Sequence, residues 1–128
     1  MLTETEIDKI VVNTAYQIHA ELGPGLDESA YLALMLNELS KRGLKIKSEV
    51  PGSISHGGLA LGTKVKTDLI VEDKVIIELK SLAEIQPVHI KHLQLYLRIT
   101  GKKLGLLINF GDPSIKNAIT RVVNGLLE

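Results

Sequence analysis

The sequence has no cysteine and no tryptophan, and only one phenylalanine and three tyrosines. Without cysteine there can be no disulfide and no thiolate zinc site. With aromatics at 3% of the chain, the core must be built from Leu, Ile and Val, and a hydrophobic fraction of 45% supplies enough of them. No apolar run approaches the ~18 residues of a membrane span. The start, Met1-Leu-Thr-Glu-Thr-Glu6, is acidic where a secretory signal would be basic, so the chain reads as cytoplasmic and free of membrane association. Repeats, linkers and low-complexity segments are also missing. At 128 residues the chain has the size of one domain, residues 1–128, able to bury about two-thirds of its unfolded-chain surface.

An excess of positive charge is lacking too, since 15 basic residues balance 15 acidic ones. Zero net charge weighs mildly against nucleic-acid binding, but distribution matters more than the sum. Lys41, Arg42, Lys45 and Lys47 cluster, as do Lys64 and Lys66, and then Lys91, Arg98, Lys102 and Lys103, while acidic residues concentrate in the first forty positions. This allows a one-sided basic surface. Solvated helix faces and strand edges account for the same residues.

What is present is clear periodicity. Ile7, Ile10, Val11, Ala15, Ile18 and Leu22 mark an amphipathic helix from Glu4 to Leu22, stopped by Gly23-Pro24-Gly25. Asp27 is placed to cap a second helix that runs to about Arg42 and ends at Gly43. Glu28, Tyr31, Leu32, Met35 and Leu39 share one stripe of it. A carboxylate on that stripe either favours the helix N-terminus electrostatically or serves a site.

Leu44 to Val50 alternates as a half-exposed strand, Pro51-Gly52 is expected to break it, and Ser53 to Leu61 reads as a short hairpin turning at His56-Gly57-Gly58. Val65 to Val71 and Lys74 to Lys80 form a second hairpin about Glu72-Asp73-Lys74. Pro87 to Thr100 reads as a helix and Leu104 to Phe110 as a buried strand. A last helix is expected after Asp112-Pro113, with Ile115, Ala118, Ile119, Val122, Val123 and Leu126 at helical spacing. The order is α-α-β-β-β-β-β-α-β-α. The helix from Pro87 would form a right-handed crossover if the strands it joins are parallel.

The chain is organised around Val75-Ile-Ile-Glu-Leu-Lys80. It reads as a buried strand, yet Glu78 and Lys80 project from one face at its end while Leu79 points away. Hairpin pairing brings Asp68 beside them. Burying charge is costly unless it is paired or metal-bound. The residues alone support either a structural Glu–Lys or Asp–Lys ion pair, or a divalent-metal site.

Taken together these residues resemble the GxxExxY family of the PD-(D/E)XK nuclease superfamily. Gly25-Leu-Asp-Glu28-Ser-Ala-Tyr31 matches the name motif, Asp68 with Glu78-Leu79-Lys80 matches the nuclease signature, and Tyr96 to Gly111 looks like the C-terminal block. The resemblance spans the first helix to about Val123. It departs at one place: the family tends to carry glutamine four residues before the tyrosine, and here His92 precedes Tyr96. His89 and His92 stand three residues apart, but no further zinc ligand lies at convincing spacing.

The resemblance implies an α/β (α+β) fold with a restriction-endonuclease-like core, a mixed sheet flanked by helices. It implies a metal-dependent nuclease that hydrolyses phosphodiester bonds of nucleic acid, with DNA the expected substrate. Mg²⁺ or Mn²⁺ would be held by Asp68, Glu78 and the Leu79 backbone carbonyl, with Glu28 a further ligand or a partner through water. Lys80 would position the attacking water. Tyr31, His92 and Tyr96 are candidates for substrate binding, although Tyr31 serves equally as core. A homodimer is compatible with this reading. The contrasting reading is a catalytically weak or inactive nuclease-fold module that binds nucleic acid or a protein partner.

Overall fold

The computed structural model describes residues 1–56 and 59–126, and the side chains of all of these except 49–66. Three helices flank one mixed five-stranded sheet, in the order α1 (Glu4–Leu22), α2 (Glu28–Lys41), β1 (Ile46–His56), β2 (Leu59–Val71), β3 (Val75–Lys80), α3 (Pro87–Thr100), β4 (Leu104–Asn109) and β5 (Ile119–Val123).

Local chemistry sets the helix starts. Thr3 caps α1 by accepting from the Glu6 N–H, while Glu6 reaches back to the Thr3 N–H, a reciprocal capping box. Asp27 caps α2, accepting from the Ala30 N–H at 2.9 Å and the Ser29 hydroxyl at 2.7 Å. That hydroxyl and then the backbone hydrogen bond hold its carboxyl below the usual range.

The strands lie side by side in chain order. β1–β2, β2–β3 and β4–β5 are antiparallel and β3–β4 parallel, with α3 as the connection between the parallel pair. The β2–β3 turn closes with Lys74 N–H donating to the Val71 carbonyl, and Glu72 and Asp73 both take positive φ, 53° and 56°. Those are the left-handed values of a type I′ hairpin turn, which matches the strand twist.

Alternation along the strands divides the core. Leu69, Val71, Val75, Ile77, Leu79, Leu104, Leu106 and Ile108 face α1 and α2. Ile70, Ile76 and Leu107 face α3, meeting Leu93, Tyr96 and Leu97. α3 comes in close where Gly105 leaves room: a Cβ there would lie 2.7 Å from Leu93 Cδ1.

Three expectations fail, the first being a strand boundary: β2 runs unbroken from Leu59 to Val71 and does not begin at Val65. Pro51-Gly52 does not break a strand, because β1 continues through it, Pro51 pairing with Lys66 and Gly52 with Val65. β1 lies at the sheet edge, where proline's missing N–H costs no ladder bond. The strand does slip register between Ser53 and Ser55. The hairpin turn at Gly57-Gly58 lies outside the described residues.

The last helix is replaced by a 3₁₀ turn, Ile115–Asn117, followed by β5. Ile119, Thr120, Val122 and Val123 are β-branched, stiff in a helix and well suited to a strand. The fully buried β4 would otherwise leave an unpaired edge, and β5 pairs with it from Leu104↔Val123 to Ile108↔Ile119. Spacing at i, i+3 and i+4 cannot express that demand.

The predicted basic surface divides as well. Lys102 and Lys47 both approach Asp73 Oδ1, at 3.1 and 4.0 Å, and Lys41 approaches Glu38 at 3.7 Å. Asp73 sits at the opposite end of β3 from Glu78 and Lys80, so those lysines are directed away from the central strand's charged end. Lys91 and Arg98 are exposed on α3.

Candidate active site

β3 follows the alternation its sequence dictates. Ile77 and Leu79 enter the core against α1 and α2, so Glu78 and Lys80 project towards α3 with Ile76. On β2, Asp68 is one position before Leu69 and shares the α3 side with Ile70. The ladder between these strands ends at Leu69↔Ile77. Beyond it the Leu79 N–H donates to Asp68 Oδ2 at 2.7 Å. A strand residue turns its N–H and carbonyl to the same side, so the Leu79 carbonyl also faces the open edge beside Asp68.

The electrostatics show two carboxylates held where neither ionises easily. Burial lifts Asp68 above the usual carboxylate range and the charge of Glu28 adds to this, against the Leu79 N–H and the Lys80 ammonium. Glu78 is pushed up to about 7, by burial first and by the Asp68 charge second. Lys80 opposes the shift. The Thr67 hydroxyl lies near enough to lower the Glu78 pKa but misses hydrogen-bond geometry. Glu78 Oε1 and Thr67 Oγ1 are therefore buried without a partner among the described residues.

Glu28 sits on the opposite helical layer, in the exposed first turn of α2. It nevertheless lies close enough for its charge to raise Asp68, so it approaches round the end of the sheet. A cleft of about 860 Å³ opens there, lined by residues 24–29, 81–83 and Gly111. On the α3 side a cavity of about 200 Å³ is lined by Glu78, Lys80, His89, His92, Leu95, Tyr96 and Leu107. His92 is exposed at its rim and Tyr96 is 5% exposed within the fold.

Tyr31 is placed differently. It is fully buried, its ring stacked on Phe110 at 4.3 Å between centroids and 5° between planes. Its hydroxyl donates to the Gly23 carbonyl at 2.6 Å and accepts from the Leu26 N–H at 3.3 Å. Tyr31 thus sits in the core, the role its stripe equally allowed, and braces the loop that leads into Glu28.

Two residues that sequence reasoning did not single out complete the frame. Asn109, 2% exposed, clasps the segment after Lys80: its Oδ1 accepts from the Leu82 N–H at 2.9 Å and its Nδ2 donates to the Leu82 carbonyl at 3.0 Å. The same Oδ1 accepts from Gly111 N–H at 3.2 Å. A Cβ on Gly111 would sit 2.3 Å from the Leu82 carbonyl oxygen, so only glycine allows this approach. Ser81 adds a tie to the α2 side by donating to the Leu26 carbonyl. Asn109 at the end of an apolar strand was the one available signal, and a polar residue at a strand end is too common to read alone.

No group of three or more His, Asp or Glu side chains stands together as a metal cluster among the described residues. The donors that do converge are Asp68, Glu78 with its unpaired oxygen, and the Leu79 carbonyl, all oxygen. Such a set fits a hard divalent cation of the Mg²⁺ type, which takes one or two carboxylates and keeps several waters. It does not fit zinc, which prefers nitrogen and sulfur.

No curated protein matches the sequence. The crystal structure of SSO0001 is similar at 20% identity, covering 95% of this chain and 79% of that one with a TM-score of 0.49. The crystal structure of an alkaline exonuclease from Laribacter hongkongensis is similar at 17% identity, covering 97% and 72%, also with a TM-score of 0.49. Both likenesses are distant. The family match is extensive, running over residues 5–122, and by it the chain belongs to the PD-(D/E)XK nuclease superfamily.

Proposed function

We propose that this protein is a metal-dependent nuclease of the GxxExxY type, hydrolysing phosphodiester bonds of nucleic acid, with DNA as substrate and Mg²⁺ or Mn²⁺ as cofactor. One observation carries the reading: among the described residues Glu78 Oε1 is buried and unpaired, while burial first and the Asp68 charge second push the Glu78 carboxyl up to about 7. Two carboxylates forced together at a strand end leave a defect that a cation relieves.

Asp68, Glu78 and the Leu79 carbonyl would hold the ion, and Glu28 would join through water. When bound, the ion supplies polarisation of the scissile phosphate and a water of lowered pKa. Lys80 orients the attacking water and offsets negative charge building at phosphorus. His92 and Tyr96, on the wall of the cavity that holds Glu78 and Lys80, contact the substrate strand. Tyr31 and Asn109 keep the α2 start and the β3 end at a set separation. A homodimer is compatible with this scheme and not required by it.

One observation favours a second reading, an inactive module that binds nucleic acid or a protein. A Glu78 carboxyl at about 7 can relieve the same defect by taking up a proton at neutral pH. Incubating wild type and Asp68→Asn with single- and double-stranded oligonucleotides and plasmid, with Mg²⁺, Mn²⁺ or EDTA, separates the two. Cleavage that needs metal and Asp68 supports the nuclease. Intact nucleic acid under every condition supports the module.

A further inference from the structure

We propose that His89 is an additional substrate-binding residue, its Nε2–H donating to a phosphate oxygen of the strand seated beside Glu78 and Lys80. The identity of the ligand rests on the nuclease reading above; the donor itself rests on geometry.

His89 occupies the first turn of α3, where the Gln86 N–H donates to its Nδ1 at 2.9 Å. A neutral imidazole carries one acceptor and one donor nitrogen, so an accepting Nδ1 puts the proton on Nε2. The contact also holds the half-buried ring, so less side-chain freedom is lost on binding. Among the described residues no partner takes up Nε2.

Position gives that donor a purpose. His89, His92 and Tyr96 fall at i, i+3 and i+7, one stripe along the helix. All three line the cavity that contains Glu78 and Lys80. Against the single carboxylate of Glu78, the wall offers one ammonium and two imidazoles. At about 200 Å³ it admits a phosphate with part of its nucleotide and excludes a base pair. An oriented N–H in such a place is complementary to an anionic oxygen.

The competing role for His89 is structural, as an acceptor that caps the start of α3. Two substitutions separate the roles. Asparagine places its polar atoms near the Nδ1 position and retains the cap; glutamine reaches the Nε2 position and retains the donor. Cleavage of an oligonucleotide with Mn²⁺ is measured for wild type, His89→Asn and His89→Gln, each with its melting temperature. In parallel, fluorescence anisotropy with Ca²⁺ follows binding of a labelled phosphorothioate oligonucleotide.

A hydrogen bond to a charged group predicts about a ten- to hundredfold loss for His89→Asn, in KM or in phosphorothioate affinity, at nearly unchanged melting temperature. His89→Gln should recover most of it. If wild type binds but does not cleave, and His89→Asn weakens binding that His89→Gln restores, the donor stands and the nuclease reading falls. If wild type cleaves and His89→Asn matches it in KM and affinity, the donor is overturned and the nuclease stands. If wild type neither cleaves nor binds, both are overturned. A His89→Gln variant as weak as His89→Asn also overturns it, since the donor would then not matter.

Discussion

Replacing Asp68 with asparagine removes one negative charge, changes volume little and retains an oxygen that can accept the Leu79 N–H. In the metal-free protein, the rise of Glu78 from 4.5 to about 7 corresponds to about 3 kcal/mol against its charged form, at about 1.36 kcal/mol per pKa unit. Burial is the larger cause and the Asp68 charge the second. Relief of the second should return about 1 kcal/mol of stability, a gain of roughly 3–5 °C in Tm for a chain of this size. The unfavourable ionisation of Asp68 itself acts in the same direction, since burial raises its pKa. Asp68→Asn should therefore melt at or above the wild-type temperature in EDTA, lose the stabilisation that Mn²⁺ gives wild type, and lose metal-dependent cleavage. Differential scanning calorimetry with and without Mn²⁺, beside a cleavage assay, measures all three. The reasoning is refuted if the variant in EDTA melts well below wild type, the loss expected when a half-buried ammonium is left without its partner. Asp68 would then exist to neutralise Lys80.

Other consequences are open to direct measurement. Because the folded Glu78 pKa lies above its unfolded value, the folded state holds more protons between 4.5 and about 7. Metal-free stability should therefore fall as pH rises through that window, by up to about 3 kcal/mol; urea melts from pH 4.5 to 8 should show the fall, and Glu78→Gln should flatten it. Asn109→Ala strands the Leu82 N–H, the Leu82 carbonyl and the Gly111 N–H, and a loss of about 3 kcal/mol follows from the cost of unmet buried hydrogen bonds; chemical denaturation checks it. Binding of duplex through Lys and Arg contacts should weaken with salt, log K falling by about 0.9 per phosphate contact for each unit of log[salt]; a flat response would favour a protein partner.

Much of the architecture could be read from periodicity, because α1, α2 and α3 each bury one stripe and their ends carry strong signals. The Asp68, Glu78 and Lys80 arrangement was legible for a similar reason. Period-two alternation and a short turn constrain both face and register. Glu28 was less so, since its stripe points into the opposite layer and only the helix start lets it round the sheet end. The terminal segment misled because residues 115–126 satisfy helical spacing while β4's need for a partner is a property of the whole sheet. Pro51 misled because edge position cannot be seen locally. Asn109 and Gly111 were hidden because their value lies in contacts with Leu82, 27 residues away from Asn109.

The most direct test of the central claim is a crystal of the wild-type protein grown with Mn²⁺ and measured at the manganese edge. The account predicts one anomalous peak bridging the Asp68 and Glu78 carboxylates within reach of the Leu79 carbonyl. A site without anomalous density, with Lys80 Nζ lodged between the two carboxylates at saturating Mn²⁺, would contradict it.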